Sequence, residues 1–112
     1  MKTLTDIANF KRAKRFLDSL DYVTYEHQGE VKQTDILKKE QDGNKIEVLI
    51  YFDAEIEGEI SNVKVIDTDG DVVISSERVY NKEDSNYPRG LYISFEYIFD
   101  EEVVTSNANE GV

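Results

Sequence analysis

The stretch that decides the fold is residues 46–56, which read IEVLIYFDAEI. In a β-strand successive side chains point to opposite faces, so a half-buried strand alternates apolar and polar residues. This stretch alternates throughout its length, which predicts a long strand with two unlike faces. The apolar face would carry Ile46, Val48, Ile50, Phe52, Ala54 and Ile56, and the mixed acidic face Glu47, Leu49, Tyr51, Asp53 and Glu55.

The same period of two continues on both sides of this stretch. Residues 91–99 place Leu91, Ile93, Phe95, Tyr97 and Phe99 on one side, and weaker alternation predicts strands at 22–27, 31–39, 63–66 and 72–74. Turn-forming residues separate these strands, at Gln28-Gly29, Asp42-Gly43-Asn44 and Asp69-Gly70. Residues 81–90 contain Pro88 and predict an exposed loop.

The first 20 residues follow a helical period instead. Thr5 is placed to cap the helix N-terminus. Apolar residues recur at spacings of three and four, which puts them on one stripe of a helix: Leu4, Ile7, Phe10, Ala13, Phe16, Leu17 and Leu20.

These patterns predict an α+β fold, in which an N-terminal helix packs on a five- or six-stranded antiparallel meander sheet. The predicted organisation is a single domain over residues 1–100, followed by a flexible acidic tail over 101–112. We expect the helix stripe to cover the sheet face that carries Ile46, Val48, Ile50, Phe52, Phe95 and Tyr97.

Composition limits the class of protein. The chain has 112 residues and a formal net charge of −11. It contains no Cys, which excludes a disulfide scaffold, a thiol nucleophile and Cys-ligated metal sites. Its apolar runs are far shorter than the ~20 residues of a membrane span. The sequence therefore predicts a cytoplasmic protein.

No motif predicts catalysis, a metal or a cofactor. The acidic stretch 67–71 fails the EF-hand pattern, because Val72 and Arg78 stand where Gly and Glu are needed. We interpret it as a hairpin turn. His27 is the only histidine, lacks a visible catalytic partner, and is expected to be a half-exposed strand residue. The expectation is a protein that is not an enzyme.

Two charged surfaces are candidates for binding. The acidic strand face predicts a partner-binding surface of carboxylates with apolar anchors, formed by Glu47, Leu49, Tyr51, Asp53, Glu55 and Glu57. The alternative is that these charges serve only solubility and prevent edge-to-edge aggregation. A basic helix segment could contact RNA or be an ordinary solvated helix face, and it consists of Lys11, Arg12, Lys14 and Arg15.

The cysteine-free acidic chain, with its basic segment 11–15, acidic strand 47–59 and hairpin at Asp69-Gly70, resembles the small anti-CRISPR proteins of Gram-positive phages and plasmids. Those proteins inhibit the type II-A RNA-guided nuclease. The resemblance implies a non-enzymatic inhibitor that binds a CRISPR effector nuclease, or interferes with its guide RNA, in the host bacterial cytoplasm. It implies neither duplex DNA nor a membrane as partner.

Two further functions are compatible with the residues themselves. One is an immunity protein that caps a toxin nuclease, which would also be small and acidic. The other is a domain whose charge serves only solubility.

Overall fold

The computed structural model describes residues 5–53, 55–82 and 90–100. The predicted tail at 101–112, Leu4, Ala54 and most of the predicted loop at 81–90 lie outside these residues. Within them the helix α1 (Asp6–Ser19) is followed by eight strands: β1 (Leu20–His27), β2 (Glu30–Asp35), β3 (Lys38–Asp42), β4 (Lys45–Phe52), β5 (Gly58–Asp67), β6 (Val72–Ser75), β7 (Tyr80–Lys82) and β8 (Leu91–Ile98). The predicted fold class, one N-terminal helix and an antiparallel sheet of at least five strands, is confirmed.

Within that class the strands divide between two sheets. The first has the order β2-β1-β5-β6, with β7 also paired to β5, and the second has the order β3-β4-β8. The predicted strand at 31–39 is therefore wrong as a single strand, because the chain changes sheet at Ile36 and Leu37. Ile36 packs against the core, and the Leu37 amide donates to the Leu49 carbonyl oxygen at 2.9 Å.

The apolar faces of the two sheets pack on each other and form the core. The ring of Tyr25 on β1 meets the ring of Phe52 on β4 edge-on, with 4.8 Å between centroids. Helix α1 contacts β3 and β4, and the Gln41 side chain donates to the Phe10 carbonyl oxygen at 2.9 Å. The first sheet therefore buries much of the apolar face of β4 that we expected the helix to cover, and Tyr97 stays 40% exposed.

An irregularity in β5 and the turns between strands determine which strand residues are buried. Asn62 has a φ of 49°, and the register between β1 and β5 shifts around it. Because this irregularity inserts a residue into the alternation, Ile60 and Val63 are both buried although they are three positions apart. The predicted turns at Gln28-Gly29, Asp42-Gly43-Asn44 and Asp69-Gly70 each join two antiparallel strands.

The strand that decides the fold is shorter than predicted. β4 ends at Phe52, where Asp53 begins a turn. The Asp53 carboxylate accepts a hydrogen bond from the Glu55 amide at 2.9 Å, and the Asp53 carbonyl oxygen accepts one from the Ile56 amide at 3.2 Å. A local side-chain bond of this kind competes with the strand ladder and ends it.

Candidate partner-binding face

The three-stranded sheet has one face in the core and one face that points away from it, which we call the outer face. Residues directly opposite each other in an antiparallel pair share a face. The registers of β3, β4 and β8 place the following side chains on the outer face, all of them exposed or half-buried: Lys38, Glu40, Asp42, Lys45, Glu47, Leu49, Tyr51, Tyr92, Ser94, Glu96 and Ile98.

Three carboxylates cross the middle of the outer face in one row. Glu40 on β3 is opposite Glu47 on β4, and Glu47 is opposite Glu96 on β8. We call these three residues the glutamate row. Side chains directly opposite in an antiparallel pair have Cβ atoms about 4.5–5.5 Å apart, and like charges there are destabilising. The row thus aligns three carboxylates on adjacent strands, an arrangement in which like charges repel unless they are paired.

Two lysines pair with the outer glutamates of the row and so neutralise its negative charge only in part. Lys38 pairs with Glu40 at 2.9 Å and Lys45 with Glu96 at 3.6 Å, and all four side chains are about half exposed. The hydrogen bond from Lys38, and then its charge, hold the pKa of Glu40 below its ordinary value. Asp42 adds a fourth carboxylate to the face. A surface hollow of about 420 Å³ is lined by Glu40, Gln41, Asp42, Lys45, Ile46 and Glu47.

An aromatic pair lies beside the row. The rings of Tyr51 and Tyr92 are 4.7 Å apart between centroids and inclined by 38°, and Tyr92 is 60% exposed. Gly90 lies against Tyr51 and has a φ of 98°, and a Cβ added there would lie 2.6 Å from both the Tyr51 ring and the Phe52 carbonyl oxygen. Only a glycine fits this position, since both the backbone angle and the space exclude a side chain.

The structure brings together three of the six predicted partner-binding residues. Glu47, Leu49 and Tyr51 share the outer face. The expectation that Asp53, Glu55 and Glu57 continue the same face is wrong, because the strand ends at Phe52 and these residues lie in the connection between β4 and β5. They are exposed there.

Sequence reasoning missed the partners that the other two strands contribute. The alternation in 91–99 puts Tyr92, Ser94 and Glu96 together, on the side of the strand opposite Leu91 and Ile93. Nothing local says that this side faces the same way as Glu47, because the pairing of β4 with β8 joins residues that are 39 to 53 positions apart. The register supplies that information.

The predicted RNA-contacting residues of α1 are all exposed, but two are engaged within the protein. Arg12 donates to the Asn9 side chain at 2.9 Å and lies over the Phe99 ring at 5.7 Å. Lys14 pairs with Asp18 at 3.0 Å. Lys11 and Arg15 make no ion pair among the residues that the structure describes. Because Arg12 and Lys14 are engaged, the segment offers fewer available cations than its sequence suggests.

His27 is buried, and the expectation of a half-exposed histidine is wrong. It is 6% exposed. Its Nε2 atom bonds the Glu57 carbonyl oxygen, and its Nδ1 atom lies 3.0 Å from Lys32 Nζ. A carbonyl oxygen only accepts and an ammonium only donates, so these contacts assign a neutral ring with its proton on Nε2. The histidine holds the connection between β4 and β5 against the hairpin of β1 and β2.

The acidic hairpin gathers the carboxylates of Asp67, Asp69 and Asp71, whose oxygens lie within 4.8 Å of one another. The Asp67 carboxylate also accepts hydrogen bonds from the amides of Asp69 and Asp71, at 3.0 and 2.9 Å. These bonds are typical of a turn that an aspartate side chain stabilises. That the protein needs no metal stays a prediction.

No protein-family model, curated protein or solved structure matches this chain. Among the described residues no helix is both long enough and apolar enough to span a membrane.

Proposed function

We propose that this protein is a non-enzymatic inhibitor whose outer face binds a basic, nucleic-acid-holding surface of a nuclease. The resemblance in the sequence favours a CRISPR effector nuclease in the cytoplasm of a host bacterium, with the protein acting against that defence. The alternative remains an immunity protein that caps a toxin nuclease, since the same face would suit either basic surface.

The observation that carries the proposal is the glutamate row. Charges kept only for solubility work best when they are spread, because like charges that are directly opposite in a sheet reduce stability. Glu40, Glu47 and Glu96 are instead aligned on three adjacent strands. Lysines and arginines that normally hold a nucleic-acid backbone would relieve this repulsion upon binding.

The surroundings of the row have the character of an interface. Leu49, Tyr51 and Tyr92 lie on the same face, and aromatic anchors within a charged rim are typical of binding surfaces. Four carboxylates against two lysines give the face a net charge of the same sign as the whole chain. Both charges disfavour duplex DNA as a direct partner.

The test is a target-cleavage assay with a purified type II-A effector nuclease and its guide RNA. The face variant Glu40→Gln/Glu47→Gln/Glu96→Gln removes three negative charges from the outer face. Its matched control, Glu30→Gln/Glu59→Gln/Glu77→Gln, removes three exposed negative charges from elsewhere on the chain. We expect the inhibitory concentration to rise by about tenfold or more for the face variant, and to change by less than about twofold for the control.

Three results would overturn the proposal in distinguishable ways. If both triple variants weaken inhibition equally, overall charge and not the outer face is responsible. If the quadruple alanine variant of Lys11, Arg12, Lys14 and Arg15 loses inhibition while the face variant keeps it, the basic helix acts on guide RNA instead. If the unmodified protein inhibits no effector nuclease, the CRISPR partner is wrong and toxin nucleases become the partners to assay.

A further inference from the structure

We infer that Tyr51, Tyr92 and Glu47 form a subsite for an arginine side chain of the partner. This inference rests on the proposed function, because the partner's basic surface would supply the arginine. It goes further in naming the side chain and the place where it binds.

The aromatic pair provides the floor of the subsite. The Tyr92 ring is 60% exposed and packs against the Tyr51 ring, 4.7 Å away between centroids. Gly90 also lies close to the Tyr51 ring and restricts the movement of that ring. A ring held in this way binds a planar cation with little further loss of side-chain entropy.

A carboxylate stands at one side of this floor. Ser94 donates its hydroxyl to Glu47 Oε2 at 2.7 Å, which draws the Glu47 carboxylate from β4 toward β8. Ser94 and Tyr92 are next neighbours on the same face of β8, about 6.6–6.8 Å apart along the strand. The carboxylate is thereby held beside Ser94, the neighbour of Tyr92 on this face, and it keeps further lone pairs for a guanidinium.

Both lysines of the outer face have closer partners than Glu47. Lys38 pairs with Glu40 and Lys45 with Glu96, and the charge of Glu47 adds only a smaller contribution to the raised pKa of Lys38. The chain also stacks its own arginines on rings: Arg78 lies 5.1 Å from the Tyr80 ring centroid and Arg12 lies 5.7 Å from that of Phe99. The subsite would receive a partner's arginine in the same geometry.

Arginine suits this chemistry better than the other candidate ligands. Its guanidinium can stack on an aromatic ring and form hydrogen bonds to a carboxylate at its edge, whereas a lysine ammonium is a compact, strongly hydrated charge. A nucleobase could stack on the tyrosines, but its phosphates would face the glutamate row. The combination of ring and carboxylate therefore selects a cation, and among cations a planar one.

The test compares binding of hexa-arginine and hexa-lysine peptides to the full chain, followed by NMR chemical shifts. We expect the arginine peptide to bind about fivefold more tightly, with the largest shifts at Tyr92 and Ser94. Tyr92→Leu should abolish this preference and Tyr92→Phe should keep it. Glu47→Gln should weaken binding of the arginine peptide.

The control is Tyr97→Leu, which removes a second partly exposed tyrosine from β8. Tyr97 is opposite Ile46 and so lies on the other face of the sheet. We expect this variant to keep the preference for arginine, and the amide spectrum shows whether each variant is folded.

Equal affinity for the two peptides would overturn the inference, as would a preference that survives Tyr92→Leu. The two proposals fail separately. Loss of nuclease inhibition in the face variant without a preference for arginine leaves the proposed function and removes the subsite. A preference for arginine in a protein that inhibits no nuclease leaves the subsite and removes the proposed function.

Discussion

Tyr25 is one of two tyrosines from which we expect a dependence of stability on alkaline pH. Tyr25 is buried against Phe52, and burial raises its pKa, helped by the nearby negative charge of Asp53. The folded state therefore keeps the phenol proton to higher pH than the unfolded chain does. A raised pKa of this kind contributes stability that is present below the ordinary value of about 10 and is lost as pH rises through the folded value.

We predict that Tyr25→Phe reduces this loss. The free energy of unfolding, measured with urea at about pH 8 and at about pH 10.5, should fall with pH by less in Tyr25→Phe than in the unmodified protein. Tyr97→Phe is the comparison, since burial and then Tyr80 raise the pKa of that phenol too. An identical fall in the unmodified protein and Tyr25→Phe would show that Tyr25 does not contribute.

His27 shows at the same scale what a sequence leaves open. Its position in a weak strand suggested partial exposure, yet its ring is buried between Lys32 and the Glu57 carbonyl oxygen. The carbonyl belongs to a residue 30 positions away, and a backbone carbonyl carries no residue signature. Local pattern could not reveal this bond.

Among the elements, β4 shows how far alternation reaches. The alternation predicted the buried set Ile46, Val48, Ile50 and Phe52, and all four are at most 1% exposed. It failed beyond Phe52, where hydrogen bonds to Asp53 end the strand. It also could not reveal the two sheets, because β1 pairs with β5 across some 40 residues of chain. Periodicity in the sequence identifies which residues share a face of a strand. The long-range pairing of strands determines which other residues pack on that face.

The glutamate row predicts a variant that is more stable than the unmodified protein. Glu47 is opposite a carboxylate on each side, and Glu47→Gln removes both repulsions while an amide oxygen still accepts the Ser94 hydroxyl. We expect the free energy of unfolding to rise by about 0.2–1 kcal/mol. Chemical denaturation of Glu47→Gln, with exposed Glu77→Gln as control, measures the gain.

A decrease in stability for Glu47→Gln would mean that its bond with Ser94 outweighs the repulsion in the row. The expected gain has a functional meaning, because the same substitution should weaken binding of arginine peptides. A residue whose replacement stabilises the fold and weakens binding is one that binding, not folding, requires.

The net negative charge of the whole molecule lowers the stability of the fold but increases its attraction to a basic partner. The net charge of −11 is repulsive within the compact protein, so screening by salt should stabilise the fold. The same screening should weaken attraction to a basic partner, because the screening length falls from about 10 Å at 0.1 M to about 3 Å at 1 M salt. These opposite trends separate a folding effect from an interface effect in one protein.

We therefore predict that raising NaCl from about 0.05 M to about 0.5 M increases the midpoint temperature of unfolding and slows association with the basic partner. The nuclease that the protein inhibits, or the arginine peptide, serves as that partner. The variant Glu40→Gln/Glu47→Gln/Glu96→Gln should show a flatter salt dependence of association than the variant Glu30→Gln/Glu59→Gln/Glu77→Gln, although both carry the same net charge. Calorimetry measures the first trend, and association rates at several salt concentrations measure the second.

Rim charges act mainly on association and a buried aromatic anchor mainly on dissociation, so Tyr92→Leu should leave the salt dependence unchanged and speed dissociation. If the two triple variants have equal salt slopes, net charge alone steers the partner and the alignment of the three glutamates has no role in recognition.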